Sequence, residues 1–297
     1  MSLLTIVLMT HNRPVLAVNA IESILNQSEK DFKLVVSDNS SNKELQEIME
    51  ARFPQVEHKS WFPGMPLAEH FKKVISLVDT AYFVMFHDDD LMEPDYVKRI
   101  LEEFKKEPHA AAIATNAWKI DKDGEKIQDS KFFVSKNKIE TIVTESDLLC
   151  RYLAGNFGGV SPFSSYAYNT DLIKGLFPDY VRWKNYCDTL FLVDVGGRGP
   201  IIWINDPLVR VRVYENNVSA ESGVRDYKLF IKQVQKRFGS IIKRRYIEEY
   251  HFLRLFFALK KNGKRPLPAI KYLIFLFPKL MISSHSFRKR ILKKVFS

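Results

Sequence analysis

Tyr82-Phe83-Val84-Met85-Phe86-His87-Asp88-Asp89-Asp90 decides how the chain is read. Five uncharged residues, aromatic and aliphatic and free of Gly and Pro, have the length and make-up of a buried strand. They end in one imidazole and three adjacent carboxylates. Neighbouring carboxylates repel one another, so a cation is expected to neutralise them. Oxygen ligands of this kind suit Mg2+ or Mn2+, and a site that uses only one or two of them leaves room for phosphate oxygens. The alternative is a solvated acidic turn capping the helix that begins near Pro94.

Working outward, the same alternation repeats. Leu3 to Met9 reads as a buried strand, followed by the turn Thr10-His11-Asn12-Arg13-Pro14 and a helix over Val15 to Gln27 with Leu16, Ala20, Ile21, Ile24 and Leu25 at helical spacing. Phe32 to Ser37 is a second strand closed by Asp38-Asn39-Ser40-Ser41. Helices are expected over Asn42 to Phe53, Leu67 to Leu77 and Pro94 to Lys106, and strands over Val56 to Trp61 and Ala110 to Trp118. Such alternation predicts parallel βαβ units, in which ligands bind at the carboxyl ends of the strands. Thr10–Arg13, Asp38–Ser41 and His87–Asp90 all stand at such ends, so three polar clusters are expected on one rim.

Beyond Trp118 the pattern loosens. Asp121-Lys122-Asp123-Gly124 reads as a hairpin turn, Ser146 to Leu153 as a short helix, and Gly155 to Pro162 as a Gly-rich loop. Ser164 to Tyr168 reads as a strand and Thr189 to Val195 as a helix, followed by two strands, Ile201 to Ile204 and Leu208 to Val213.

Composition narrows the function classes. Two cysteines, Cys150 and Cys187, give neither a disulfide framework nor a metal spacing, which suits a reducing cytoplasm. Ser2 to Met9 is too short and lacks the basic leader of a secretion signal. The net charge of +10 is uneven. Residues 225–297 hold 20 Lys and Arg against three acids, and residues 1–224 hold 25 against 32. A catalytic body over 1–224 and a basic amphipathic helical extension over 225–297 are therefore expected. Uncharged runs in the extension, such as Tyr272 to Pro278, fall far short of the roughly 20 residues that span a bilayer. Helices lying on an anionic membrane surface fit better, each Lys or Arg there contributing about 1 kcal/mol. Helices packed on the body with a solvated basic face are the other reading. No phosphate-cradling Gly-x-x-x-x-Gly-Lys-Ser/Thr loop and no Gly-x-Gly-x-x-Gly after the first strand are present, which disfavours ATPases and dinucleotide binders.

Taken in order, these segments resemble the inverting family 2 glycosyltransferases over roughly residues 3 to 220. Thr10-His11-Asn12-Arg13-Pro14, Val36-Ser37-Asp38-Asn39-Ser40-Ser41, Phe86-His87-Asp88-Asp89-Asp90, Cys187-Asp188 and Arg212-Val213-Tyr214 each resemble a family motif. The resemblance implies an α/β GT-A fold, Rossmann-like, with a mostly parallel central sheet flanked by helices. It implies sugar transfer from a nucleotide-diphosphate donor, a UDP-sugar foremost, to a glycan or polyprenyl-linked acceptor in surface polysaccharide synthesis. The place of work would be the cytoplasm, at the inner face of the cell membrane.

By the same resemblance Asp188 is the catalytic base. Thr10, His11, Arg13, Asp38, Asp88 and Asp89 bind the donor, and Asp89 with His87 holds Mg2+ or Mn2+. Other readings stand beside these. Asp188 would also suit the N-cap of the following helix, and Asp38 a turn former. Two departures stand out: His87 replaces the first acid of the usual Asp-x-Asp, and Tyr214 replaces a closing histidine. A nucleotidyltransferase is the rival enzyme. A nucleic-acid-binding protein using the basic tail is the rival outside enzymes, disfavoured by the acidic body.

Overall fold

A computed structural model describes residues 2–154, 159–213, 224–261 and Phe275. Most of the basic extension beyond residue 261, the first half of the Gly-rich loop, and Tyr214 lie outside the described residues.

The chain forms two compact units. The first comprises Met1–Glu145 with Val160–Tyr227, and is built on one sheet. Its strands are β1 (Leu4–Thr10), β2 (Phe32–Asp38), β3 (Glu57–Ser60), β4 (Tyr82–His87), β5 (Leu91–Met92), β6 (Ala112–Ile120), β7 (Lys126–Lys131), β8 (Ile139–Ile142), β9 (Tyr166–Asn169) and β10 (Ile201–Arg212). The order across the sheet is β3-β2-β1-β4-β9-β6-β10-β5, with β7 on β6 and β8 on β10.

The sheet is mixed rather than mostly parallel. Among the described residues four strand pairings are parallel and five antiparallel. Three of the parallel pairings form the run β3-β2-β1-β4, and the fourth joins β10 to β6. Past β4, β9 enters antiparallel between β4 and β6, strands far from it in sequence. The two expected strands after Gly199 are one strand, β10. Its register against β6 slips on either side of Pro207, which has no N–H to give the ladder.

All seven residues of β1 are buried, as are the four inner residues of β4. Strands covered on both faces read as continuous apolar runs, which is why these two were legible. Helices α1 (Pro14–Leu25), α2 (Glu44–Arg52), α3 (Leu67–Ser76) and α4 (Tyr96–Lys106) flank this half of the sheet. From α1, Ala17, Ala20, Ile21 and Ile24 enter a core shared with Ile6, Leu8, Val84, Phe86 and Tyr96.

That packing also places the acidic segment. At the end of α1, Gln27 is buried; its Nε2 donates to Glu93 O at 2.7 Å and its Oε1 accepts from Val97 N at 2.9 Å. Ser23 Oγ accepts from Met92 N at 3.1 Å. The chain leaving Asp90 is thereby pinned between α1 and α4.

The remaining helices are α5 (Glu145–Ala154), α6 (Tyr180–Trp183), α7 (Cys187–Gly196), α8 (Val224–Phe238) and α9 (Arg244–Lys261). The second unit takes in Ser146–Gly159 and the chain from Lys228 on. There Tyr152, Phe230 and Tyr250 meet ring to ring, with centroids 5.6 to 5.8 Å apart. No helix among the described residues is long and apolar enough to cross a membrane.

Candidate active site

The parallel register sets three strand ends side by side. Thr10 lies opposite Asp38, and Met9 opposite His87. The turn after β1 is tied to both neighbours. Asn12 has φ +54°, a left-handed conformation that Asn tolerates better than most residues. Its N–H donates to Ser40 Oγ at 2.9 Å, and its Oδ1 accepts from Ser41 N at 2.9 Å. On the other side His11 N–H donates to Asp88 Oδ2 at 3.2 Å. Arg13 Nη1 reaches Asp88 Oδ1 at 3.2 Å and Asp89 Oδ2 at 3.0 Å.

The three aspartates after His87 are not alike, and they are not a solvated turn. Asp88 and Asp90 are buried, while the Asp89 side chain is 20% exposed. The turn does not cap α4 either, because the residue at that cap is Asp95. Burial raises the Asp88 carboxyl above its ordinary range, against the pull of Arg13. Burial, reinforced by the charge of Asp89, pushes Asp90 up to about 7. Arg212 N–H donates to Asp90 Oδ1 at 3.1 Å. The Arg212 guanidinium then bridges Asp89 O at 3.1 Å to Asp121 O and Lys122 O at 2.8 and 2.7 Å. The expected hairpin turn thus becomes a support for the acidic loop.

His87, Asp89 and Asp90 offer ligand atoms within 4.8 Å of one another. Asp88, expected to bind the donor, is turned to His11 and Arg13, and Asp90 joins His87 and Asp89 in the set. One imidazole and two carboxylates are a donor set that a small divalent ion accepts. The His87 ring stacks on Phe163 with centroids 5.5 Å apart, which fixes its plane.

Facing these loops, α7 brings Asp188. It does not cap the helix, since Tyr186 holds that position and Asp188 stands in the first turn. Thr189 donates to Asp188 Oδ1 through its N–H at 2.6 Å and its hydroxyl at 3.3 Å. Burial raises the Asp188 carboxyl, opposed by the Thr189 bond and by the nearby charge of His87. Cys187, standing where an acid pair is usual, is buried and its thiol is pushed up to about 12, so it adds no charge at neutral pH.

Thr10, His11, Arg13, His87, Asp88, Asp89 and Asp188 all line one cleft of about 670 Å³. Asp38 does not line it. It is 1% exposed, and its carboxylate accepts from Ser40 N at 2.9 Å and lies 3.4 Å from His58 Nε2. Burial would raise its pKa, but those bonds outweigh burial and hold it below the ordinary value. Asn39 lines the cleft in its place. The Asn39 amide exchanges two hydrogen bonds with the Met65 backbone, at 2.8 and 3.0 Å. Its carbonyl lies 2.7 Å from His11 Nδ1. Gly64, at φ +99°, allows that approach, since a Cβ there would stand 3.1 Å from Asn39 O.

Sequence reasoning passed over Asn39, His70, Phe163 and the role of Arg212. Phe163 comes from far along the chain and no local pattern marks it, while Arg212 stood in a family-like segment whose partners only the fold supplies. His70 sat on the apolar face expected for α3 and was the one readable signal. It is buried, with Nε2 2.8 Å from Ser37 Oγ, which also accepts from Trp61 Nε1 at 3.0 Å. Burial depresses His70 from 6.5 to about 4. Below pH 6.5 the unfolded chain takes up a proton that the folded chain resists. Stability is therefore fully present above 6.5 and falls as pH drops towards 4, by about 3 kcal/mol. Urea unfolding at pH 7 and pH 4 should show this fall in the wild type and a shallower one in His70→Gln. Equal slopes in the two proteins would contradict it.

The strand ends of a mixed α/β sheet thus gather an acidic loop able to hold a cation, beside a separate carboxylate from α7. Residues 5–166 match the family described as Glycosyl transferase family 2, more than half of the chain, and the chain belongs to that family. The match is to a glycosyltransferase family, not to the nucleotidyltransferase class weighed from the sequence. The chain is 27% identical over 130 residues to chondroitin synthase of Escherichia coli, which covers 43% of this chain and 19% of that protein. Among solved structures it resembles S. aureus TarS 1-349 in complex with UDP-GlcNAc, with TM-score 0.59, 15% identity, and 88% and 73% of the two chains covered. It also resembles the mannosyltransferase PcManGT from Pyrobaculum calidifontis in complex with GDP-Man and Mn2+, with TM-score 0.56, 12% identity, and 98% and 79% covered. At these identities the structural likeness is one of fold.

Proposed function

We propose that this protein is an inverting glycosyltransferase with a catalytic body over 1–224 and a basic extension over 225–297. It moves a sugar from a nucleotide diphosphate, a UDP-sugar foremost, to a hydroxyl of a glycan or polyprenyl-linked acceptor in surface polysaccharide synthesis. One observation carries the reading: Asp188, from α7, opens into the same cleft as the acidic loop at the end of β4.

Each residue has a part. Asp188 accepts the acceptor's hydroxyl proton on the oxygen that Thr189 leaves unengaged. Its raised pKa brings its basicity nearer to working pH, where proton transfer is most effective. Thr10, His11 and Arg13 bind the donor along the β1 turn. Asp38 contributes by holding the Asn39–Ser41 turn against them. Asp88 keeps Arg13 and the His11 backbone in place. Asp89, His87 and Asp90 would hold Mg2+ or Mn2+. Such an ion, when bound, offsets charge building on the leaving diphosphate. TarS bound to UDP-GlcNAc and PcManGT bound to GDP-Man and Mn2+ support a donor and an ion of these kinds.

The test is a panel of UDP- and GDP-sugars, each with Mg2+ or Mn2+, read by melting temperature and by slow donor hydrolysis. At least one donor should raise the melting temperature in a metal-dependent way. A panel with neither stabilisation nor hydrolysis would overturn the assignment. The basic extension is the part of this reading that places the enzyme on the inner face of the cell membrane.

A further inference from the structure

Helices α8 and α9 are joined by a four-residue turn and the cation that follows it, Gly239-Ser240-Ile241-Ile242-Lys243. The two adjacent isoleucines have opposite fates. Ile242 is 3% exposed, packed inward with Phe238 and Tyr246, whereas Ile241 is 65% exposed. The chain is forced to turn here. Gly239 N–H donates to Gln235 O at 3.0 Å, and a Cβ on Gly239 would collide with that carbonyl. Ile241 is thus held out at the tip by the backbone.

Charge surrounds it on one side of neutrality only. From Lys228 to Ile247 there are seven Lys and Arg and no carboxylate. Lys232, Lys236, Arg237, Lys243, Arg244 and Arg245 are all exposed. Lys236 and Arg237 close α8, where the helix dipole favours cations. Lys243, Arg244 and Arg245 sit at the start of α9, whose first turn has no acid. Cations there work against the dipole, so helix stability does not account for them. Arg244 meets Glu248 at 2.8 Å, yet its side chain stays 92% exposed. An exposed branched aliphatic in a stretch of exposed cations matches the boundary between lipid headgroups and acyl chains.

We infer that the α8–α9 turn is the docking tip of this unit on an anionic bilayer, with Ile241 entering the acyl boundary. The inference rests on the membrane-surface part of the proposed function and names the surface that makes contact.

The experiment is co-sedimentation of the full chain with phosphatidylcholine vesicles, with and without phosphatidylglycerol, over a salt series. The wild type should bind only the anionic vesicles, less tightly as salt rises. Ile241→Ser should weaken binding about tenfold. The double variant Lys243→Ser, Arg244→Ser should weaken it about 30-fold. Both should keep the wild-type urea midpoint, which separates lost docking from lost folding. Wild-type binding that both variants retain overturns the docking tip and leaves the membrane reading standing. Failure of the wild type to bind anionic vesicles overturns both. Equal retention on duplex DNA and anionic vesicles, unchanged in Ile241→Ser, would make the surface a general polyanion binder and also overturn the inference.

Discussion

Asp188→Asn should lower turnover about 10³-fold while leaving the dissociation constant of the nucleotide-sugar donor within about threefold of wild type. A positioned general base contributes on the order of 10²–10⁴ to rate. The amide keeps the shape of the carboxylate and still accepts from Thr189 N–H, so α7 should start in the same place. What disappears is the ability to take a proton. Burial raises the wild-type carboxyl, and removing that buried charge should leave stability equal or slightly higher. Loss of rate with intact donor binding is the signature of an interaction made in the transition state. Single-turnover rates and donor titration by calorimetry separate the two quantities. Near-wild-type turnover would remove Asp188 as the base.

Asp89→Asn should abolish metal-dependent donor stabilisation and reduce turnover on the order of 10³-fold, since charge neutralisation at a leaving diphosphate is worth several kcal/mol. Folding should survive. Asp89 is partly exposed, and its charge is one of the causes that push Asp90 up to about 7. Removing it relieves repulsion in the cluster. Its partner Arg13 retains Asp88 at 3.2 Å. The companion variant His87→Asp makes the donor set all carboxylate. Imidazole favours Mn2+ over Mg2+ relative to oxygen ligands, so this variant should narrow the gap between the two ions. Mn2+ binding followed by electron paramagnetic resonance, with Mg2+ as competitor, reads this without turnover. Unchanged Mn2+ affinity in Asp89→Asn would show that the ion is held elsewhere.

Local signals carried the left half of the sheet. β1, β2 and β4 are short apolar runs with helices of ordinary length between them, and hydrophobic periodicity is a local property. The polar turns at their ends could be placed on one rim because parallel strands share a direction. β5 and β8 went unread: two residues in one case, and an alternating, mostly exposed stretch in the other, give too little pattern. The mixed character of the right half depends on which strand inserts beside which, and β9 pairs with strands far from it in sequence.

The residue types for the chemistry were therefore written in the chain itself: an imidazole and three carboxylates after an apolar run, an aspartate at a helix start, and an excess of cations towards the end. Which of them act together was a matter of tertiary structure. Asp38 turned inward because Ser40 and His58 satisfy its carboxylate where no water reaches. Asp90 stands beside His87 and Asp89 because the Arg212 backbone holds it there, while Arg13 draws Asp88 the other way. Adjacent side chains leave a turn in different directions, and only the partners waiting in space determine which one faces the ligand.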